Sequence, residues 1–171
     1  MNFLITGFPG TGKSAIAKRL KLRGHKAYDP EIMHAYTHVE SRQTGKHLNL
    51  PAEIPAGWFD TEAVNNWDPI KIQKLLDSDE DIFICSLAHN QSEFYPKFSK
   101  IFVLTLDESE LAHRLHLRSG GKIGQGSAEL SDILKLHTGF EQSLINSGAI
   151  KLDSHKSVDQ LVDEILDLIN E

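Results

Sequence analysis

The chain has 171 residues, 40% of them hydrophobic and 25% charged, with a formal net charge of −6. This length predicts one domain over 1–171 with its own core, the composition excludes disorder, and the acidic balance (pI near 5.8) argues against a nucleic-acid partner, which needs clustered Lys and Arg. The one cysteine, Cys85, allows no internal disulfide, residues 1–6 run straight into a strand, and no apolar run reaches the roughly 18–20 residues of a membrane span, so a reducing cytoplasm is the expected home.

Strand and helix alternate along almost the whole chain, the pattern of a parallel sheet covered on both faces. NFLIT (2–6) reads as the first strand. Residues 13–23 follow as a helix with Ile16, Ala17 and Leu20 turned inward and Gly24 at its end, and HKAY (25–28) is a short second strand. EIMHAYTHV (31–39) reads as helical. Over about 40–68 the periodicity fails. This stretch carries two prolines and two glycines but also Trp58, Phe59 and Trp67, which predicts an ordered excursion and not a linker. Regular structure resumes with a helix over 69–78, with Pro69 in its first position and Asp68 as its N-cap. Then come the buried strand DIFICSL (81–87), a short helix near 91–98, the strand KIFVLTL (100–106) and a helix over 108–118 capped by Asp107. SGGKIGQGS (119–127) holds four glycines in nine residues and marks a lid over about 118–129. A long helix from about 129 to 147 ends at Gly148, and AIKLD (149–153) is the last strand. The closing helix (157–170) places Val158, Leu161, Val162, Ile165, Leu168 and Ile169 on one face. The expected fold is α/β, a three-layer sandwich around a five-stranded parallel sheet.

Between the first strand and first helix lies GFPGTGKS (7–14). Its spacing, GxxxxGK[ST], arises by chance in about one in two hundred chains of this length. A polyphosphate needs many donors within hydrogen-bond reach, and unobstructed backbone amides supply them. Gly7, Gly10 and Gly12 lack a Cβ and tolerate positive φ, so the loop running through Pro9 and Thr11 can turn its amides inward as an anion nest. The helix starting at Lys13 adds unsatisfied N–H groups, those of Ser14 and Ala15 among them, and roughly half a positive charge. Lys13 brings a full charge for the β- and γ-phosphates, and Ser14 a hydroxyl for Mg²⁺. ATP and Mg²⁺ are the expected ligands.

No guanine-reading NKxD segment is present, and the chain is too short for a motor. It resembles instead, over nearly its whole length, the adenylate kinase-like and shikimate kinase-like P-loop small-molecule kinases. GFPGTGKS carries the resemblance, with the acidic pair Asp29 and Glu31 in YDPEI where shikimate-type kinases keep a DxD, the segment IFVLTLDESELAHRLHLR, and the ending IKLDSHKSVDQLVDEIL. The resemblance implies a P-loop fold of nucleoside monophosphate kinase type. It also implies that Arg114 packs near the adenine and Arg118 reaches the phosphates on lid closure, with Lys122 as a third charge; the alternative is two solvated arginines on a surface helix.

The acceptor is a matter of proton chemistry. An alcohol must lose a proton as it attacks, whereas a nucleoside monophosphate is already ionised at pH 7 and needs no base. Asp29, at a strand end beside the phosphate loop, is the candidate base or a holder of Mg²⁺ through water, with Glu31 orienting a substrate hydroxyl; alternatively, Asp29 opens an Asp-Pro turn and caps the next helix. The third strand departs from the kinase pattern. It ends in ICSLAHN, where Ser86, His89 and Asn90 are polar but bring no carboxylate. His34 with His38, and His113 with His116, have helical spacings compatible with zinc, yet neither pair has an accompanying HExxH glutamate, which favours exposed or substrate-contacting histidines. Arg42 and Lys46 are candidates to grip an acceptor phosphate or carboxylate, and the aromatics of the excursion either form a satellite core or a substrate wall. Three functions follow: a kinase transferring the γ-phosphoryl group of ATP to a small-molecule hydroxyl, a nucleoside monophosphate kinase, and a nucleotide-binding regulatory ATPase with little transfer. The expected partner is the small acceptor, with no membrane, in a monomer or homodimer.

Overall fold

The computed structural model describes residues 1–33, 35–51, 55, 58–117 and 127–170. In chain order they form β1 (Asn2–Thr6), α1 (Lys13–Leu22), β2 (Lys26–Tyr28), α2 (Pro30–Met33), β3 (Thr37–Ser41), β4 (His47–Leu48), α3 (Trp58–Thr61), β5 (Ala63–Trp67), α4 (Pro69–Leu76), β6 (Ile82–Cys85), a 3₁₀ segment (Gln91–Lys97), β7 (Lys100–Thr105), α5 (Glu108–Leu117), α6 (Ser127–Asn146), β8 (Ile150–Asp153) and α7 (Val158–Asn170). The main sheet has five strands in the order β2-β6-β1-β7-β8, all parallel. All five strands expected from the sequence are in it.

Alternation along the central strands divides two cores between the faces of the sheet. Phe3 and Ile5 of β1, Phe83 and Cys85 of β6, and Phe102 and Leu104 of β7 pack against α1 and the Leu161, Val162 and Ile165 face of α7. Leu4, Ile82 and Ile84 face the other way, onto Ile72 and Leu76 of α4 and onto Trp67, Phe94 and Phe98. Both faces are covered, which is why these strands read as continuous apolar runs. The caps behave as the sequence implies. Asp68 accepts from the amides of Ile70 and Lys71 at 3.1 Å each, with Pro69 in the first helical position. Ser157 and Gln160 close a capping box on α7, each side chain accepting from the other's amide. Among the described residues no helix is long and apolar enough to cross a membrane.

The segment from 31 to 68 departs from its reading. The helix expected over 31–39 stops at Met33, and Thr37–Ser41 is a strand. The stretch EIMHAYTHV allows either form locally; the β-branched Thr37 and Val39 find partners in distant strands, and those partners decide. What looked irregular over 40–68 contains a second, antiparallel sheet in the order β4-β3-β5. Val39 and Ala63 pack with Trp58 on one of its faces. This accessory sheet docks on the main one through the loop after β6. The side chain of Asn90 accepts from the Trp67 amide at 2.9 Å and donates to the Trp67 carbonyl at 3.0 Å, and the His89 amide donates to Asn65 at 2.9 Å. Trp58 thus belongs to a small satellite core, while Trp67 enters the main core and is fully buried.

Trp67 is the pin between the two sheets. Its ring stands edge-on to Phe94 at 5.5 Å, and its indole N–H donates to Ser86 Oγ at 3.2 Å. Trp67→Ala is expected to cost about 3–5 kcal/mol by loss of burial and cavity formation, and Trp67→Phe about 1–2 kcal/mol through the unmet Ser86 hydroxyl. Urea unfolding followed by circular dichroism measures both, and a loss under 1 kcal/mol for Trp67→Ala would contradict this role.

Candidate functional site

The strands of a parallel sheet all point the same way, so the chain leaves each of them at one edge, and that edge is where ligands bind in such folds. β1 leaves it through residues 7–12. Gly10 and Gly12 hold φ of +92° and +106°, a region that side chains disfavour. A Cβ on Gly10 would stand 3.1 Å from Leu115 Cδ2 and 3.2 Å from Leu111 Cδ1, so α5 rests directly on the loop. Gly7 is equally constrained: a Cβ there would lie 2.7 Å from Thr11 Oγ1. Thr11 closes the turn by donating its hydroxyl to the Phe8 carbonyl at 2.8 Å, and Pro9 lies half-buried between these contacts. α1 then starts after Gly12 with no side-chain cap, unlike α4 and α7, and with no acidic residue in its first turn. Its first amides keep their donor capacity, and Ser14 and Ala15 are exposed. The loop therefore fits a polyanion, with Ser14 placed as a hydroxyl ligand for its cation.

Lys13 is 6% exposed. Its ammonium donates to the carbonyls of Gly7 at 2.7 Å and Phe8 at 3.1 Å and lies 3.9 Å from Glu31 Oε1. That same oxygen accepts from the Leu87 amide at 2.8 Å. Glu31 thus ties the loop after β2 to the end of β6 through Oε1 and neutralises part of the buried charge.

Asp29 is 4% exposed at the end of β2. Its carboxylate accepts from the Glu31 amide and its carbonyl from the Met33 amide, both at 3.1 Å, so it caps α2 as one of its two sequence readings holds. It lies close enough to Cys85 that, after burial itself, the Asp29 charge is the next cause pushing the thiol pKa well up. Cys85 is inert packing. Asp29, buried two residues before Glu31, follows β2 on the same sheet edge at which β1 enters the Lys13 loop.

On the opposite side, β7 and β8 deliver another group of residues. Arg114 Nε donates to Glu110 at 2.7 Å and its terminal nitrogen to the Ser154 carbonyl at 2.9 Å, which fixes α5 to the loop after β8. The histidine of that loop, His155, bridges Asp153 at 2.7 Å and Asp107 at 2.8 Å, so its pKa is raised, by Asp153 first and Asp107 second. Asp107 also caps α5, accepting from the Glu110 amide at 2.9 Å, and hydrogen bonds from Ser109, that amide and His155 hold it far below the usual carboxylate range. Arg118 and Lys122, and the lid over 118–129 as far as residue 126, lie outside the described residues; Ser127 already belongs to α6, two residues ahead of the expected helix start.

Other groups lie near this edge. His137 is 2% exposed on α6 and meets Phe8 edge-on at 5.5 Å, with its Nε2 2.7 Å from Glu141, whose pKa burial raises. Ser86 and Asn90 are taken up by Trp67. His34 lies outside the described residues, and His38 is half-buried on β3 and not on the helix expected over 31–39. His38 Nε2 instead contacts Glu40 at 2.5 Å, a hydrogen bond that lowers the Glu40 pKa, and Arg42 and Lys46 are exposed in the turn after β3. The i, i+4 spacings of Glu110 with Arg114 and of His137 with Glu141 were open to a local reading, whereas the contacts of Glu31 with Leu87, Arg114 with Ser154 and Asp107 with His155 join residues distant in the chain.

Comparison with known proteins agrees with this architecture. Curated protein sequences give no significant match. Among solved structures, deoxyadenosine kinase from M. mycoides with bound dATP is similar over 100% of both chains, with TM-score 0.61 and 13% identity. Shikimate kinase from Acinetobacter baumannii in complex with shikimate gives TM-score 0.60 and 16% identity over 98% of this chain and 92% of that one. A gluconokinase from Sinorhizobium meliloti 1021 gives 0.54 and 17% over 95% and 87%. These likenesses establish the fold of P-loop kinases. A family model described as AAA domain matches residues 4–135, which include the whole phosphate loop and every main-sheet strand except β8, and the chain belongs to that AAA-domain family.

Proposed function

We propose that this protein is an ATP-dependent phosphotransferase that moves the γ-phosphoryl group to a hydroxyl of a small molecule. The observation that carries the reading is the corner at the end of β1, where the nearly buried Lys13 ammonium lies 3.9 Å from Glu31 below an uncapped helix N-terminus, with Asp29 buried two residues before Glu31. Phosphoryl transfer is mostly positioning and charge stabilisation, and this corner has cation, amides and carboxylate in one place. The backbone N–H groups between Gly7 and Ala15 other than at Pro9 and the Lys13 ammonium hold the triphosphate, the ammonium exchanging its loop carbonyls for phosphate oxygens. Ser14 and Asp29 are the groups that hold Mg²⁺, which when bound offsets the charge on the phosphates. Asp29 accepts the proton of the attacking hydroxyl. Arg114 anchors the adenine side through Ser154, and Arg118, four residues later in the chain, clamps the transferring group.

The hydroxyl acceptor is supported by the similar structures, since gluconokinase, shikimate kinase and deoxyadenosine kinase are each named for an acceptor that carries hydroxyls and no phosphate. The acceptor enters beside the accessory sheet, whose turn presents Arg42 and Lys46. A reducing cytoplasm, and a monomer or homodimer, complete the reading, with a single buried cysteine in support.

Lys13→Ala is expected to keep the far-ultraviolet circular dichroism of the wild type and to reduce ATP-dependent phosphorylation of pooled alcohol metabolites by two or more orders of magnitude, about the loss of one main transition-state donor. Unchanged turnover would refute the role of the loop. Asp29→Asn is a cleaner probe of the base, because asparagine caps a helix as well as aspartate and so spares α2. It should retain ATP affinity by calorimetry and lose about 10²–10⁴ in transfer to alcohols. Full activity in that variant, with ADP and a nucleoside diphosphate as products, would instead mark a nucleoside monophosphate kinase.

A further inference from the structure

The accessory sheet carries a cluster that the phosphoryl-transfer reading does not use. His38 and Glu40 alternate on β3 and so share a face, and the register sets His47 of β4 directly opposite Glu40 and Asn66 of β5 directly opposite His38. One donor atom from each of His38, Glu40 and His47 falls within 4.8 Å of the others. The two imidazoles stack at 4.3 Å with 6° between their planes, and Asn66 Nδ2 donates to Glu40 Oε2 at 2.9 Å.

We propose that this face binds one divalent transition cation of the zinc class, ligated by His38, Glu40 and His47. Two imidazoles and one carboxylate are a donor set that suits such a cation and leaves a fourth position for water or a ligand oxygen. A hydrogen-bond network alone accounts for Glu40 between His38 and Asn66 but gives His47 no reason to lie flat against a second imidazole. The cluster also holds unmet polar capacity: among the described residues, His38 Nδ1 and Asn66 Oδ1 are buried without a hydrogen-bond partner. The amide of Asn66 orients the ligand carboxylate, as outer-shell partners do. Binding exchanges the His38–Glu40 hydrogen bond for two metal bonds and splays the stacked rings so that both nitrogens turn to one ion. His47 is exposed and the other two ligands are half-buried, so the ion reaches them from solvent.

Such an ion has a mechanical consequence. β4 is two residues long and pairs with β3 at only two positions, Val39 with Leu48 and Glu40 with His47. A cation joining Glu40 and His38 to His47 clips this short hairpin shut and stabilises the sheet by linkage. The inference is independent of the phosphoryl-transfer reading and is tested without activity.

The test uses the full chain without a polyhistidine tag, stripped with chelator and titrated with ZnCl₂ by calorimetry and with CoCl₂ by visible absorption. One equivalent should bind, with d–d bands for Co²⁺ and a rise in Tm with Zn²⁺. His47→Ala, at an exposed position outside both main cores, and Glu40→Gln should each weaken binding at least tenfold and abolish the rise in Tm. His155→Ala, in the separate Asp107–Asp153 cluster, should leave both unchanged. Absence of stoichiometric binding, binding that survives both ligand substitutions in folded protein, or binding lost with His155→Ala overturns the proposal.

Discussion

A buried ammonium held by two backbone carbonyls sets the layout of this molecule. Lys13 has only 6% of its surface exposed and spends its donors on Gly7 and Phe8, with Glu31 3.9 Å away. A cation taken out of water is tolerated only where oxygen atoms replace the water, and a loop that folds its carbonyls towards its own lysine supplies most of them, with the Glu31 carboxylate nearby. The same loop leaves the first amides of α1 without a cap. Positive charge and donor capacity are thus concentrated at one end of β1, in a form that phosphate oxygens complete.

The parallel sheet brings the other groups to that point. Because β2, β6, β7 and β8 run in the same direction as β1, Asp29, Ser86, Asp107 and Ser154 follow the ends of their strands on one edge. Packing then makes the loop depend on its neighbours. Leu111 and Leu115 of α5 close on Gly10 so that a Cβ there would stand only 3.1–3.2 Å from them, and His137 and Phe140 of α6 stand edge-on against Phe8 at 5.5 and 5.1 Å. The two helices that flank the glycine-rich stretch therefore both rest on the phosphate loop. A rearrangement of that loop on binding would be felt by both, since close-packed contacts transmit small displacements.

The accessory sheet solves a different problem. The chain between β2 and α4 leaves the main sheet, forms the antiparallel sheet β4-β3-β5 and returns to it. Trp67 anchors the return, with its ring in the main core and both of its backbone groups held by Asn90. The polar face of this sheet, with His38, Glu40, His47 and Asn66, is consequently held at a defined register and not on a loose loop, which is the condition a ligand cluster needs.

Local patterns decided what was legible in the sequence. The glycine spacing of residues 7–14, the 2.0 and 3.6 periodicities of the main-sheet strands and of α1, α4, α5 and α7, and the caps Asp68 and Asp107 all involve residues within a few positions of each other, and all recur in the structure. The phosphate loop and the five parallel strands were therefore readable from the chain alone. Residues 31–68 were not, because Thr37–Ser41 is a strand only through its partners at 47–48 and 63–67, and strand preference is a property of such partners more than of the residues themselves. The engagement of Glu31 with Leu87, of Arg114 with Ser154 and of His155 with Asp107 joins residues 56, 40 and 48 positions apart. Contacts at that separation leave no periodicity to read, so sequence alone determined the loop and the sheet around it, and the tertiary fold decided which charged side chains remain available to a ligand.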